Sequence, residues 1–155
     1  MSRARPGYEL PLLLLGAFRA LVDELHAELA LRGHPDARPL HGFALQAIGS
    51  GISISELGRR LGVSKQAAAK TAANLERLGY ASRAVDPGDA RASRIERRPR
   101  GDELLELSAQ IFARSRRRLV DELGAERIGA LEDDLESIAG PGAATLAPDV
   151  PGWIG

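Results

Sequence analysis

The sequence predicts a mainly α-helical protein with one small β-hairpin. Three observations predict it. Apolar residues recur at three-four spacing through most of the chain, which is the signature of helices with one buried side. Residues 53–78 (SISELGRRLGVSKQAAAKTAANLERL) divide at Gly62 into two short helices joined by a tight turn. The stretch that follows loses the helical period and is broken by Asp86-Pro87-Gly88, a run of turn-forming pairs. Two helices, a turn and a hairpin in that order make a winged helix-turn-helix. The N- and C-terminal helices around it then form a separate helical base.

In chain order, Met1 to Gly7 is a loose terminus with two arginines. A long helix follows from about Glu9 or Pro11 to Leu31. Leu14, Phe18, Leu21, Val22, Leu25 and Leu29 form one stripe, and Leu12, Leu13 and Leu15 add apolar surface on other sides. A helix apolar on more than one stripe needs more than one partner. Gly33-His34-Pro35-Asp36 ends it. A short helix runs from about Pro39 or Leu40 to Ile48, with Phe43, Ala44, Ala47 and Ile48 as its core face. Gly49-Ser50-Gly51 is a loop, and Ile52 begins a minimal strand beside the hairpin.

Ser53 caps the next helix, and Glu56 three residues on completes a capping box in which each side chain bonds the other's backbone N–H. Leu57 and Leu61 face one side. Gly62 supplies the positive φ of the stop. Ser64 caps the second helix, which runs to about Leu78. Ala68, Ala72, Leu75 and Leu78 point inward. Gln66, Lys70 and Arg77 lie opposite, with Lys65 at the leading edge and Ala67, Ala69 and Ala73 keeping the helix slim. Lys65 and Lys70 are the only lysines of the chain.

The hairpin strands are read as Tyr80 to Val85 and Ala92 to Arg97, carrying Arg83, Arg91, Arg94 and Arg97. Pro99 opens a helix to about Glu122, a position that suits proline. Its stripe is Leu104, Leu107 or Ser108, Ile111, Ser115 and Leu119. Arg114, Arg116, Arg117 and Arg118 form a basic run, read as a solvated face paired with acids. Gly124 precedes a last helix, Ala125 to Ala139, with Ile128, Leu131, Leu135 and Ile138 at helical spacing. The segments are therefore 1–38 and 99–140 as the helical base, 39–98 as the winged helix-turn-helix, and 141–155 as a Gly/Pro-rich tail. That tail carries the sole tryptophan, Trp153, and two readings of it stay open, docking on the base or a free extension.

Composition bounds the rest. A chain of 155 residues with 44% hydrophobic content fits one domain with appended helices. The absence of cysteine excludes disulfides, thiolate metal sites and thiol redox switching. Leu12 to Leu15 is too short to span a membrane and lacks the features of a signal peptide, so the cytoplasm is the expected location. His26, His34 and His41 are seven or eight residues apart, without metal-ligand pairing. No phosphate loop or nucleophile elbow is present. The sequence thus gives no support for catalysis, a cofactor or a metal.

Net charge is zero, but its distribution is not even. Residues 53–100 hold eleven Lys and Arg against five Asp and Glu, and the remainder holds ten against sixteen. Such segregation makes one face attractive to phosphate.

Leu61 to Gln66, Leu75 to Tyr80, and the group Arg83, Asp86, Pro87, Asp89 and Arg91 resemble the MarR family of bacterial winged-helix regulators, over roughly Leu10 to Ala139. There is one departure. Where the family has Leu-Thr-x-x-Gly after the second strand, this chain has Arg97-Arg98-Pro99-Arg100-Gly101. The resemblance implies a homodimeric transcriptional regulator, most often a repressor, that reads a pseudo-palindromic double-stranded DNA operator. It implies DNA contacts from Ser64, Lys65, Gln66, Ala69, Lys70 and Asn74 on the second helix, and from Arg83, Asp89, Arg91 and Arg94 in the wing, with Asp89 aiming Arg91. It further implies a small aromatic or phenolic acid held between base and winged domain; Phe18, His41 and Phe43, where the first two helices should meet, are the pocket candidates, with structural packing as the other and favoured role for each. A winged helix that binds protein instead of DNA, as a scaffold or antirepressor, is the other reading; loss of the cationic face would mark it.

Overall fold

A computed structural model of the protein describes residues 4–140, except for the side chains of residues 86 and 89–92 in the hairpin. The tail with Trp153, and the Asp89–Arg91 pair, lie outside the described residues.

The elements are α1 (Glu9–Leu31), α2 (Pro39–Ile48), β1 (Ile52–Ser53), α3 (Ile54–Leu61), α4 (Lys65–Arg77), β2 (Ala81–Asp86), β3 (Asp89–Arg97), α5 (Pro99–Leu123) and α6 (Ala125–Ala139). The three strands form an antiparallel sheet in the order β1-β3-β2. This is a mainly helical winged fold, as the sequence predicts.

Three strand bounds differ from expectation: β2 runs from Ala81 to Asp86 rather than from Tyr80 to Val85, and β3 begins at Asp89 rather than Ala92. Tyr80 stays outside β2 because its N–H closes the end of α4 on the Leu75 carbonyl at 2.9 Å. β3 begins at Asp89 rather than Ala92, because the chain resumes pairing directly after Pro87-Gly88, with Asp86 opposite Asp89. An irregularity in register between Val85 and Asp86 absorbs the tight turn.

The winged domain is closed around its own core. Leu57, Leu61, Ala68, Ala72, Leu75 and Ile95 are buried, joined by Ile48 and Leu45 of α2 and Leu104 of α5. Leu45 and His41 belong to the buried side of α2, whereas Phe43 is only half-buried. The expected single stripe on α2 is too narrow because α2 touches α3, α4, α5 and β3.

Helix starts follow the sequence, with one correction. The Oγ of Ser53 accepts the Glu56 N–H, and that of Ser64 the Ala67 N–H, each at 3.1 Å. The other half of the capping box is not made. The Glu56 carboxylate turns outward to Arg59 and Arg60, where two guanidinium groups outbid one backbone N–H. Gly62 adopts the left-handed conformation that the turn requires (φ 65°).

The family departure at residues 97–101 has a structural counterpart. Arg98 caps α5 without a side-chain bond, its backbone N–H going to the Tyr80 carbonyl at 3.0 Å. Arg97 reaches over the helix start to Asp102 at 2.8 Å and the Leu45 carbonyl at 3.3 Å. Gly101 is required by contact: a Cβ there would stand 2.3 Å from the Tyr80 carbonyl oxygen.

The base is built differently. α1 packs along α5, and α5 along α6. Val22, Leu25 and Leu29 of α1 are buried, but Leu10, Leu12, Leu13 and Phe18 are exposed. On α6, Ile128 alone of its apolar stripe is buried, and Ile138 is 66% exposed. Three of the four arginines in the basic run of α5 are paired as expected: Arg114 with Glu28, Arg118 with Glu24 at 2.8 Å, Arg116 with Glu132 at 2.6 Å. These arginines hold the three carboxyls below their ordinary range, through direct hydrogen bonds first.

Candidate functional site

The exposed face of α4 is set by what the opposite face buries. With Ala68, Thr71, Ala72 and Leu75 against α3, helical geometry turns Lys65, Gln66, Lys70 and Arg77 outward, and all four are exposed. Ser64 is exposed at the leading end, while Ala69 and Asn74 are half-buried at the flanks. Among the described residues, neither Lys65 nor Lys70 has an ion-pair partner.

The wing residues separate. Arg83 stands opposite Ile95 in register and therefore shares the face of the sheet that turns toward the helices. Its Nη2 donates to the Ala69 carbonyl at 2.8 Å, and its backbone N–H to Glu76 at 3.0 Å. It thus clasps β2 to α4 instead of standing out from the wing. With Lys65, Ser53, Ser55, Ser93, Ile54 and Ala69 it lines a small cleft beside α4. Arg94 falls on the other face, opposite Ala84 and Ser53. It is half-buried over Gly51 and paired with Glu96 at 3.2 Å. Strand register thus sets Arg83 and Arg94 on opposite faces of the sheet.

A cavity of about 300 Å³ opens between α1, α2 and α5. Phe18 and Phe43 both line it, their rings stacked with centroids 6.4 Å apart. His41 does not line it. It sits at the first turn of α2, where its Nδ1 accepts the Arg38 N–H at 3.0 Å. The reading of His41 as a pocket residue is corrected accordingly: its ring turns back to cap its own helix. Among the lining residues that sequence reasoning did not assign to a pocket are His26, Arg38, Gln46, Ser108 and Phe112. His26 was within reach, since Phe18, Val22 and His26 recur at four-residue spacing on α1. Phe112 carried no comparable signal, because nothing in the sequence says which face of α5 meets α1. Burial, then the nearby Arg38, push the His26 and His41 imidazoles below their ordinary range, so both are neutral at neutral pH.

The third histidine binds the winged domain to the base. His34 is buried, its Nδ1 2.8 Å from the Tyr80 hydroxyl, and the Arg100 guanidinium lies 5.0 Å from the Tyr80 ring centre. His26 and His41 therefore share the neighbourhood of Arg38, while His34 serves the joint at Tyr80. Among the described residues no group of three His, Cys, Asp or Glu side chains could hold a metal, and no helix is long and apolar enough to cross a membrane.

These features define a winged helix-turn-helix protein with a cationic face on its second helix. Residues 43–92 match the model of the MarR family. No protein of curated function matches the sequence. Among solved structures, the reduced form of MarR from E. coli is similar over 90% of this chain and 100% of its own, with 21% identity and a TM-score of 0.71. Streptococcus pneumoniae FabT, solved in complex with DNA, is similar over 86% of this chain and 94% of its own, with 17% identity and a TM-score of 0.73. The PcaV transcriptional regulator from Streptomyces coelicolor, in complex with its natural ligand, covers 93% and 99%, with 20% identity and a TM-score of 0.63. The winged helix-turn-helix segment is thus similar to that of the MarR family, and the fold that carries it is shared with MarR proteins.

Proposed function

We propose that the protein is a homodimeric transcriptional regulator that reads a pseudo-palindromic DNA operator, represses from it, and is released by a small aromatic or phenolic acid. The observation that carries the reading is the exposed α4 face, where Lys65, Gln66 and Lys70 project without acidic partners among the described residues. Similarity to FabT, solved with DNA, supports the same reading.

The mechanism is geometric. Two α4 helices related by a two-fold axis enter successive major grooves, each wide enough for one helix. Lys65, Lys70 and the Ser64 helix start meet phosphate, while Gln66 offers a donor and an acceptor to base edges. Asn74 and Ala69 border the same face. The wing, with Asp89 and Arg91, adds contacts to the flanking backbone or minor groove. Arg83 supports from behind, by holding the wing to α4. The exposed apolar surface of α1 and α6 is the surface a second subunit covers.

The cavity suits the effector class. Phe18, Phe43 and Phe112 offer aromatic walls, and Arg38 offers the one cation for a carboxylate. PcaV, solved with its natural ligand, is the similar structure that supports a ligand here. A ligand that prefers one spacing of the two α4 helices shifts the dimer toward it.

Selection of bound fragments from a random duplex pool, followed by titration of the winner against salt, tests this. Log affinity falls steeply with log salt if phosphates are contacted. A failure to enrich any duplex overturns the proposal in favour of a protein partner.

A further inference from the structure

We propose that Arg100 is the positioning residue that fixes the angle of the winged domain on the helical base, and with it the spacing of the two α4 helices. The inference rests on the DNA-reading function above.

Arg100 is the second residue of α5, and its side chain leaves that helix altogether. Its Nη2 donates to the Gly33 carbonyl, just past the end of α1, at 2.9 Å. Its Nε donates to the Leu78 carbonyl, at the C-cap of α4, at 3.3 Å. Its guanidinium carbon lies over the Tyr80 ring. One planar cation therefore touches the end of α1, the end of α4 and the residue that leads into β2. Carbonyls at helix ends lack partners within the helix and mark its negative pole, so a cation is favoured there twice over.

The rest of the joint resembles a pivot. The Arg98 N–H bonds the Tyr80 carbonyl, and Gly101 lets α5 lie against that same oxygen. The His34–Tyr80 hydrogen bond and buried Leu104 hold the parts together close to that point and oppose separation more than rotation about it. Arg100 adds the Leu78 bond and the Tyr80 ring contact across the joint, while its Gly33 bond anchors the same guanidinium to the base, and together these resist that rotation. The lever is long: α4 has 13 residues, about 20 Å at 1.5 Å per residue. A tilt of about 5° displaces its far end by about 2 Å over that length, enough to misplace Lys65 in a groove. Only a guanidinium fits the task. A lysine ammonium reaches one carbonyl but has neither the rigid fork nor the plane that lies over Tyr80.

The test uses the full chain with Arg100→Met, which keeps an apolar stem of similar reach, and with Arg100→Lys. Affinity is measured for the selected operator, for operators with one base pair added or removed between half-sites, and for a single half-site. The wild type is expected to prefer its own spacing by roughly tenfold, the penalty typical of one lost good contact. Arg100→Met is expected to lose most of that preference with half-site affinity unchanged, and Arg100→Lys to fall between. A general loss of stability lowers all affinities together and leaves the preference intact. The chain has no cysteine, so Ala73→Cys on the exposed α4 face takes a single spin label per subunit. The label-to-label distance distribution is expected to be narrow in wild type and broad with Arg100→Met, without any DNA present. Unchanged spacing preference and an unchanged distribution in Arg100→Met overturn the proposal. A wild-type protein that binds no duplex overturns the DNA-reading function itself, and that outcome is seen before any variant is made.

Discussion

The winged domain and the helical base use the same residue types to opposite ends. In the winged domain Leu57, Leu75 and Ile95 are fully buried, while Lys65 and Lys70 stand exposed. In the base Leu12, Leu13, Leu131 and Ile138 stand exposed, while Arg114, Arg116 and Arg118 are each tied to a glutamate. The first region is complete as a hydrophobic core and incomplete as a charge distribution. The second is the reverse. Under the proposed function each region meets the partner it lacks: a polyanion for the winged domain, and an apolar surface for the base. For the base, a second copy of the same helices is the self-complementary solution.

The largest effect expected from breaking this contrast is on folding. Leu57→Ala removes a fully buried side chain and is expected to cost about 2–5 kcal/mol. Leu131→Ala, half exposed in one chain, is expected to cost a small fraction of that in a monomer. If Leu131 is covered by a second subunit, its variant instead shows a melting temperature that depends on protein concentration. Denaturation at several concentrations separates the two. Equal, concentration-independent losses from both variants would erase the distinction between the regions.

A charge placed in the exposed apolar surface sharpens it next. Leu13→Glu is expected to shift the dimer toward monomer, by burying an unpaired carboxylate, without unfolding the winged domain. Light scattering at micromolar concentration reads this directly. A wild-type protein of monomer mass would remove both this prediction and the two-fold mechanism.

Much of this was legible in the sequence, and unevenly so. Helices were read from spacing and caps, because Ser53, Ser64, Gly62 and Pro99 act on the backbone within a few residues. The paired arginines of α5 were also anticipated. What spacing does not carry is which face meets which neighbour. Leu45 was missed because α2 is enclosed on several sides. His41 was misplaced because a residue near the base–domain seam can turn back to its own helix as easily as into a cavity. Arg83 and Arg94 looked alike until register set them on opposite faces of β2 and β3. The exposed half of α1 was read correctly as surplus, since apolar residues on several stripes exceed what one neighbour can cover.

Acidification titrates two sets of side chains in turn. His26, His34 and His41 are held below the ordinary value of 6.5, in each case by burial first and by a nearby arginine second. The unfolded chain then binds more protons than the folded one once pH falls through 6.5, and stability declines from there toward the lower folded values. Above that point these groups leave stability flat. Glu24, Glu28 and Glu132 are held below 4.5 by their arginine partners. Their contribution is present above 4.5 and is lost only on further acidification. They are exposed, so the second decline is the shallower and weakens with salt. Urea titrations across this range are expected to show a first decline that His34→Gln reduces and a second that it leaves alone. A stability curve flat from pH 7 to pH 5 would show that the histidines are not held as the structure indicates.

The smallest expected effect is also the most discriminating for the charges. Lys70 and Arg116 are both exposed cations on helices, and a count of basic residues treats them alike. Their surroundings do not. Lys70 has no acidic partner among the described residues, so in the free protein it is solvated and available to a phosphate. Arg116 is held in a two-pronged pair with Glu132, with bonds of 2.6 and 2.8 Å. To meet DNA it would have to give up that carboxylate, and the carboxylate would then repel the same phosphate. One phosphate contact releases about one counterion, so Lys70→Ala is expected to reduce the slope of log affinity against log salt by about one unit. Arg116→Ala is expected to leave the slope unchanged, although both variants alter net charge by the same amount. Arg83→Ala offers the intermediate case. Its guanidinium is engaged on the Ala69 carbonyl, so its loss is expected to weaken binding through the loosened wing while the slope changes by less than for Lys70. Anisotropy titrations of the three variants at four or more salt concentrations decide the order. Equal slope changes for Lys70→Ala and Arg116→Ala would mean that DNA responds to the overall charge of the molecule, and that the contrast between a free and a paired cation has no bearing on binding.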